Sequence, residues 1–271
     1  MPDQRSAAIS ATYRIVGVIH LPPLPGTALG PSGREINQAI DRARQDALAW
    51  SAGGANALVV ENFGDVPFSK GPVGPETIAA MTLAVSAVIA ESGLPVGVNV
   101  LRNDVEAAVA IAATCGGDFV RANIYVGAAV TDQGLIEGRA DLVQALIRRL
   151  GVPIAVWADV DVKHASQLGP RAVGEYAEDA VKRGLASALI VTGPGTGHAT
   201  NPNDLVAVRA SMPNTPLYVG SGATPASLPD LLAIADGAII GTGAKANANP
   251  ANPIEIDRVR QLVAASQLSG R

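Results

Sequence analysis

Short apolar, β-branched runs alternate with helical stretches eight times along the chain, and no other feature constrains its fold as much. The strand signals fall at residues 14–19, 57–61, 95–101, 118–122, 153–158, 187–191, 216–219 and 237–240. The helical signals fall between and after them, at 33–51, 75–91, 103–114, 138–150, 171–183, 203–211, 225–234 and 253–266. The strands are continuous apolar runs, such as Ile154-Ala-Val-Trp157 and Ala188-Leu-Ile-Val191, and do not alternate apolar with polar. Strands covered on both faces by helices have this composition. Eight units without a change of pattern favour closure over an open doubly wound sheet. The expected fold is therefore α/β, a single (β/α)8 barrel of the TIM type over residues 13–268, preceded by an extension over 1–12. The 271-residue length fits, since this fold takes about 250 residues.

Composition narrows the function classes. Apolar residues make up 48% of the chain and charged ones 16%, enough to bury a large core. Aromatics are 3%, so small aliphatic side chains are expected to fill that core. A net charge of −4 argues against a nucleic-acid partner, which needs a basic face. A single cysteine excludes an intramolecular disulfide. No apolar run approaches the ~18–20 residues of a membrane span. The first dozen residues lack the apolar core of a signal peptide. A cytoplasmic protein without membrane insertion is expected. Low surface charge and apolar outer-helix positions point to a homo-oligomer.

Two glycine-rich segments close the chain's last two strand signals, Leu217-Tyr-Val-Gly-Ser-Gly-Ala-Thr224 and Asp236-Gly-Ala-Ile-Ile-Gly-Thr-Gly-Ala-Lys245. In a β/α barrel the loops after strands seven and eight form the usual phosphate site. Glycine lets main-chain N–H groups approach an anion closely. Ser221, Gly222, Ala223, Gly241 and Thr242 are the candidate phosphate-binding residues, with Lys245 adding charge at the rim. The implied partner is a small phosphorylated ligand.

Other chemistry gathers where strands end. His20 follows the first strand and opens a proline loop. It reads either as an acid/base or ligand contact or as a pin for that loop. Glu61 ends the apolar run Ala57-Leu-Val-Val60, either as a catalytic group or in a structural ion pair. Asn62 and Asn99 are candidate substrate contacts, and Asp65 lies on a loop that reads as a lid. Arg102 reads as an anion contact or a solvated side chain, and Asp104 as a helix cap. Arg121 lies inside an apolar strand and needs a carboxylate or a bound anion. Glu61 and Asp159 are its candidate partners, and Arg121 and Asn123 are themselves candidate substrate contacts. Residues 127–140 form a segment too long for an ordinary turn, read as a lid or interface loop.

The fifth strand ends in Asp159, Asp161 and Lys163, which alternate and so share a face while the chain stays extended. Four readings stay open: paired acid/base groups, a Schiff-base lysine, a divalent metal on the carboxylates, or a salt-bridged loop. No cofactor is required by the sequence. After the sixth strand, Thr192, Gly193 and His198 lie in a glycine-rich loop that can wrap a substrate, and Asn203 or Asp204 caps the next helix.

These motifs together resemble one known family. The carriers are Gly17-Val-Ile-His-Leu-Pro-Pro-Leu-Pro-Gly26, Val60-Glu-Asn-Phe-Gly-Asp65, Arg121-Ala-Asn123, Ala158-Asp-Val-Asp-Val-Lys163, Thr192-Gly193 with Thr196-Gly197, and Gly220-Ser-Gly-Ala-Thr224. The chain resembles the BtpA/SgcQ family over roughly residues 12–265. The resemblance implies a barrel of the ribulose-phosphate-binding type. It also implies one of two roles: an enzyme of sugar-phosphate metabolism, or an assembly factor for a membrane complex such as photosystem I. It assigns no catalytic residues.

Overall fold

A computed structural model describes residues 13–32, 35–161, 164–169, 171–193, 195 and 198–268. The strands are β1 (Ile15–His20), β2 (Ala57–Glu61), β3 (Val96–Asn99), β4 (Phe119–Ala122), β5 (Ala128–Thr131), β6 (Gly134–Glu137), β7 (Ala155–Asp161), β8 (Ala165–Gln167), β9 (Ala188–Val191), β10 (Leu217–Val219) and β11 (Gly237–Ile240). Eight of them close into a parallel barrel in the order β1-β11-β10-β9-β7-β4-β3-β2. Eight α-helices accompany them among the described residues. These are α1 (Ile36–Gly53), α2 (Pro75–Ser92), α3 (Val105–Cys115), α4 (Ala140–Leu150), α5 (Val173–Glu178), α6 (Pro202–Ser211), α7 (Leu228–Leu232) and α8 (Ile256–Ser266). The fold is the single α/β TIM barrel that the eightfold rhythm requires.

Strand alternation divides the apolar residues into two cores. Ile15, Leu58, Val60, Val98, Val156 and Leu189 face the helices. Val16, Val18, Val59, Phe119, Trp157 and Tyr218 fill the barrel interior. Three of the chain's few aromatics stack there, with ring centroids 3.9 Å apart for Phe119 and Trp157 and 4.3 Å for Trp157 and Tyr218. The expectation of a purely small aliphatic core is therefore corrected. Room for these rings comes from missing side chains: a Cβ on Gly97 would enter the Phe119 ring.

Residues 127–140 are more ordered than the loop the sequence suggests. β5 and β6 form an antiparallel hairpin, and β8, from the segment after β7, pairs with β5. Asp132-Gln133-Gly134 makes its turn, with Gly134 at φ 96°. The hairpin buries Ala129 and Ile136 against Ile124 and so stands as a small sheet at the barrel mouth.

Among the described residues, two helices begin on a side-chain cap, one of them not the residue expected. Asn201 caps α6, accepting the Asn203 N–H, so neither Asn203 nor Asp204 is the cap. Asp104 caps α3 as expected, accepting from Ala107 at 3.0 Å, and its second oxygen accepts the Val73 N–H at 2.9 Å. Asp104→Ala is expected to cost about 1–2 kcal/mol. The measure is a lower urea midpoint at unchanged slope; a midpoint equal to wild type would mean that water replaces the cap.

Candidate active site

The same alternation that fills the barrel delivers polar groups to its mouth. Inward positions run from Val16 and Val18 to His20, from Ala57 and Val59 to Glu61, and from Phe119 to Arg121. On β7 they run from Ala155 and Trp157 to Asp159. Strand pairing sets His20 beside Glu61 and Glu61 beside Asn99. The top layer is therefore a ring of buried polar side chains on an apolar plug.

Arg121 is its centre. Its guanidinium donates to both Asp159 oxygens, at 3.2 and 3.1 Å, and to Glu61 Oε1 at 3.2 Å. Asn99 Nδ2 donates to the same Glu61 oxygen at 3.0 Å, and Asn123 Nδ2 donates to Asp159 Oδ2 at 2.7 Å. Burial pulls the Arg121 pKa down, but Asp159 and Glu61 outweigh it and hold the guanidinium above its ordinary value. Both carboxylates expected as partners of Arg121 are thus its partners.

The remaining sequence candidates fall into distinct places. Asp159 is paired to Arg121, its carboxylate fully enclosed and accepting three hydrogen bonds; this geometry suits holding Arg121 and Asn123 in place better than proton transfer. The register of β7 on β9 shifts between Asp159 and Asp161, which interrupts the simple alternation expected there. The Asp161 side chain and all of Lys163 lie outside the described residues. Among the described residues no three His, Cys, Asp or Glu side chains gather to hold a metal ion. Asn62 is occupied internally: it accepts the Leu101 N–H at 2.7 Å and donates to Asp65 Oδ2 at 3.0 Å. Asp65 is buried and also accepts the Leu24 N–H, so it fixes the proline loop and is no part of a lid. Burial pushes its carboxyl above the ordinary range, against the pull of those donors.

Glu61 keeps its second oxygen toward His20, with Oε2 3.9 Å from Nε2. The His20 ring stacks on Phe63 at 4.3 Å between centroids. His20, Glu61, Phe63 and Arg121 form one wall of a cavity of about 450 Å³. Gly220–Thr224 and Ile239–Gly243 line the same cavity, with Gly241 packed beside the His20 ring. This brings the two glycine loops and the ionisable group together, as the sequence suggests. The main-chain N–H groups of Gly222, Ala223, Thr242 and Gly243 donate to no acceptor among the described residues.

Three expectations within the loops change. The Ser221 hydroxyl accepts the Gly193 N–H at 2.7 Å and donates to the His198 carbonyl at 3.1 Å, so it ties two loops together. Gly222, at φ 70°, packs so closely on the His198 main chain that no Cβ fits. Gly193 and Thr192 are buried behind that contact, while exposed His198 lines the cavity. Lys245 does not face the site. It is fully buried and donates to the Pro250 carbonyl at 2.6 Å.

A second cavity, about 550 Å³, opens on the other side of Glu61 and Arg121. Phe63, Val66, Phe68 and Leu101 give it apolar walls, and Arg102, Asn123 and Asp132 line it as polar groups. Arg102 is buried, which corrects its reading as a solvated side chain, and burial lowers its pKa against the pull of Asp159 and Asp132. Sequence reasoning misses this cavity because Phe68, Leu101 and Asp132 come from three loops that only the fold joins.

A closed parallel barrel with polar groups and glycine loops at the carboxyl ends of its strands defines a β/α-barrel protein with its candidate site at that mouth. Within that class the chain belongs to the BtpA family, whose model matches residues 12–267. It is 40% identical over 251 residues to the photosystem I biogenesis protein BtpA of Synechocystis, covering 93% of this chain and 87% of that one. It is 41% identical over 248 residues to an uncharacterized protein of Pyrococcus horikoshii, covering 92% and 93%. Among solved structures, the phosphoribosyl anthranilate isomerase of Thermus thermophilus superposes with a TM-score of 0.57 at 17% identity, over 93% of this chain and 97% of that one. A native KDPGal structure gives a TM-score of 0.56 at 14% identity, over 94% and 95%. At such identities these likenesses show the fold alone. No helix among the described residues is long and apolar enough to cross a membrane.

Proposed function

We propose that the chain is a barrel enzyme acting on a small phosphorylated metabolite, a sugar or nucleoside phosphate. One observation carries the reading: four undonated main-chain N–H groups, at Gly222, Ala223, Thr242 and Gly243, share a cavity with the Glu61 and His20 side chains. Amides without an acceptor in a concave site suit an anion. The reacting end of a ligand seated there lies against Glu61. Arg121 and Asn99 engage Oε1 of that carboxylate. Oε2, toward His20, is the oxygen positioned to take or give a proton. Arg121 balances the charge as that proton moves. Isomerase, lyase and hydrolase chemistries all use such a pair. Asp161 and Lys163 follow in the sequence and stay candidates for a further acid/base group, a Schiff base or a metal ligand.

The test is thermal stabilisation by ribose 5-phosphate and inorganic phosphate. Wild type at about a hundredfold excess over Kd is expected to gain about 2.7 kcal/mol. Gly243→Asp puts a carboxylate among the amides at a position where a Cβ fits with only slight adjustment, and it is expected to abolish the gain. Equal stabilisation of both proteins would remove the anion from this site. A wild type that no phosphorylated compound stabilises would favour a role like that named for the Synechocystis relative, in assembly without turnover.

A further inference from the structure

We propose that the second cavity is a subsite for a planar, donor-bearing ring, so that the ligand class is a nucleoside 5′-monophosphate and not a simple sugar phosphate. The inference rests on the phosphate reading of the first cavity and extends it. The two cavities meet at Glu61, Phe63 and Arg121, which line both. A ligand spanning them has an anion at the amide end and a different chemistry at the other. That other end faces the aromatic rings of Phe63 and Phe68 and the aliphatic Val66 and Leu101. Val66 is 42% exposed, an apolar side chain on a rim that a ligand ring would cover. A free sugar phosphate offers hydroxyls to such walls and gains little, whereas a heterocycle stacks on them whatever its sequence of ring atoms.

The polar groups select among planar rings. Asn123 is 2% exposed. Its Nδ2 must face Asp159, which only accepts, and this fixes the amide orientation. Its Oδ1 is then buried without a hydrogen-bond partner among the described residues. A buried acceptor left unpaired is costly, and a ligand donor that reaches it removes the cost. Asp132, from the hairpin turn, supplies a second acceptor on the same cavity. Two acceptors favour an edge carrying N–H donors, such as the amino group of cytosine or adenine, or the N1–H and amino group of guanine. A base seated there, with its phosphate at residues 222–223 and 242–243, brings the linking pentose over Glu61.

Calorimetric titration of cytidine, adenosine and guanosine 5′-monophosphates, the corresponding nucleosides and ribose 5-phosphate, on wild type, Phe68→Ala and Val66→Asp, tests this. At least one nucleotide is expected to bind wild type about tenfold or more tighter than ribose 5-phosphate, the worth of one base stacked on an aromatic ring. Both variants are expected to erase that margin and leave ribose 5-phosphate affinity unchanged. Nucleotides that bind no tighter than ribose 5-phosphate overturn the subsite while leaving the phosphate site standing. Variants that weaken both ligands equally also overturn it. A nucleoside that binds as tightly as its monophosphate overturns the phosphate reading instead and keeps the ring subsite.

Discussion

Replacing Arg121 with methionine is expected to lower the unfolding free energy by about 3–5 kcal/mol, the range for breaking a buried ion pair by removing one partner. The cause is what remains. Glu61 and Asp159 stay at 3% and 6% exposure, and each loses its guanidinium partner. The Asn99 and Asn123 hydrogen bonds that persist are neutral and do not replace the lost cation. The loss therefore measures two buried carboxylates deprived of the cation they share more than the worth of the Arg121 contacts themselves. A triple variant, Arg121→Met with Glu61→Gln and Asp159→Asn, removes those charges and is expected to recover a large part of the deficit. Urea unfolding followed by tryptophan fluorescence reads both proteins, since Trp157 lies directly below this layer on β7. A single variant within 1 kcal/mol of wild type would mean that water reaches the carboxylates, and a triple variant no better than the single would locate the loss in packing.

That polar layer is legible in the amino-acid sequence because strand alternation is strict. Once Val16, Val59 and Phe119 point inward, His20, Glu61 and Arg121 must do so two or four residues later. An arginine inside an apolar strand also has to meet a carboxylate, and the two inward acids beside it are the two it meets. Legibility ends where a contact joins elements far apart in sequence or where a loop has its own hydrogen bonding. The β5–β6 hairpin carries a visible signal, a short turn ending in glycine between apolar residues, but its length suggests a lid. Ser221 and Asn62 have the composition of ligand contacts, yet their bonds close the scaffold of the loops around them. Lys245 has the charge and position of a cation for the phosphate rim. Its actual environment is burial beneath the segment that joins β11 to α8, with Asp46, almost two hundred residues earlier on the buried face of α1, as a nearby charge that no local sequence signal connects to it.

Lys245 supplies the second large effect, and its sign follows from the direction of its shift. The side chain is fully buried under the segment that joins β11 to α8, donating to Pro250, while Asp46 accepts the Ile254 N–H at 3.0 Å and Arg42 Nε at 3.1 Å. Burial pushes its pKa from 10.5 down to about 8, against the pull of Asp46 and with a smaller push from Arg42. Below about pH 8 the amine is charged in both folded and unfolded chains, and the cost of burying the charge, about 3 kcal/mol, is fully present. Between about pH 8 and pH 10.5 the folded chain sheds a proton that the unfolded chain keeps, so the unfolding free energy climbs with pH. Lys245→Met removes this linkage along with one hydrogen bond. The difference wild type minus variant is therefore expected to rise by about 3 kcal/mol between pH 7 and pH 10.5 in urea titrations. The buried tyrosines titrate alike in both proteins and cancel in that difference. A difference that stays flat would mean that Lys245 is solvated as its surroundings relax, and one that falls with pH would mean that Asp46 holds the ammonium as a true ion pair. Ala248 and Pro250 of this segment line the phosphate cavity, so the same titration is expected to loosen the rim where the Pro250 carbonyl loses its charged donor.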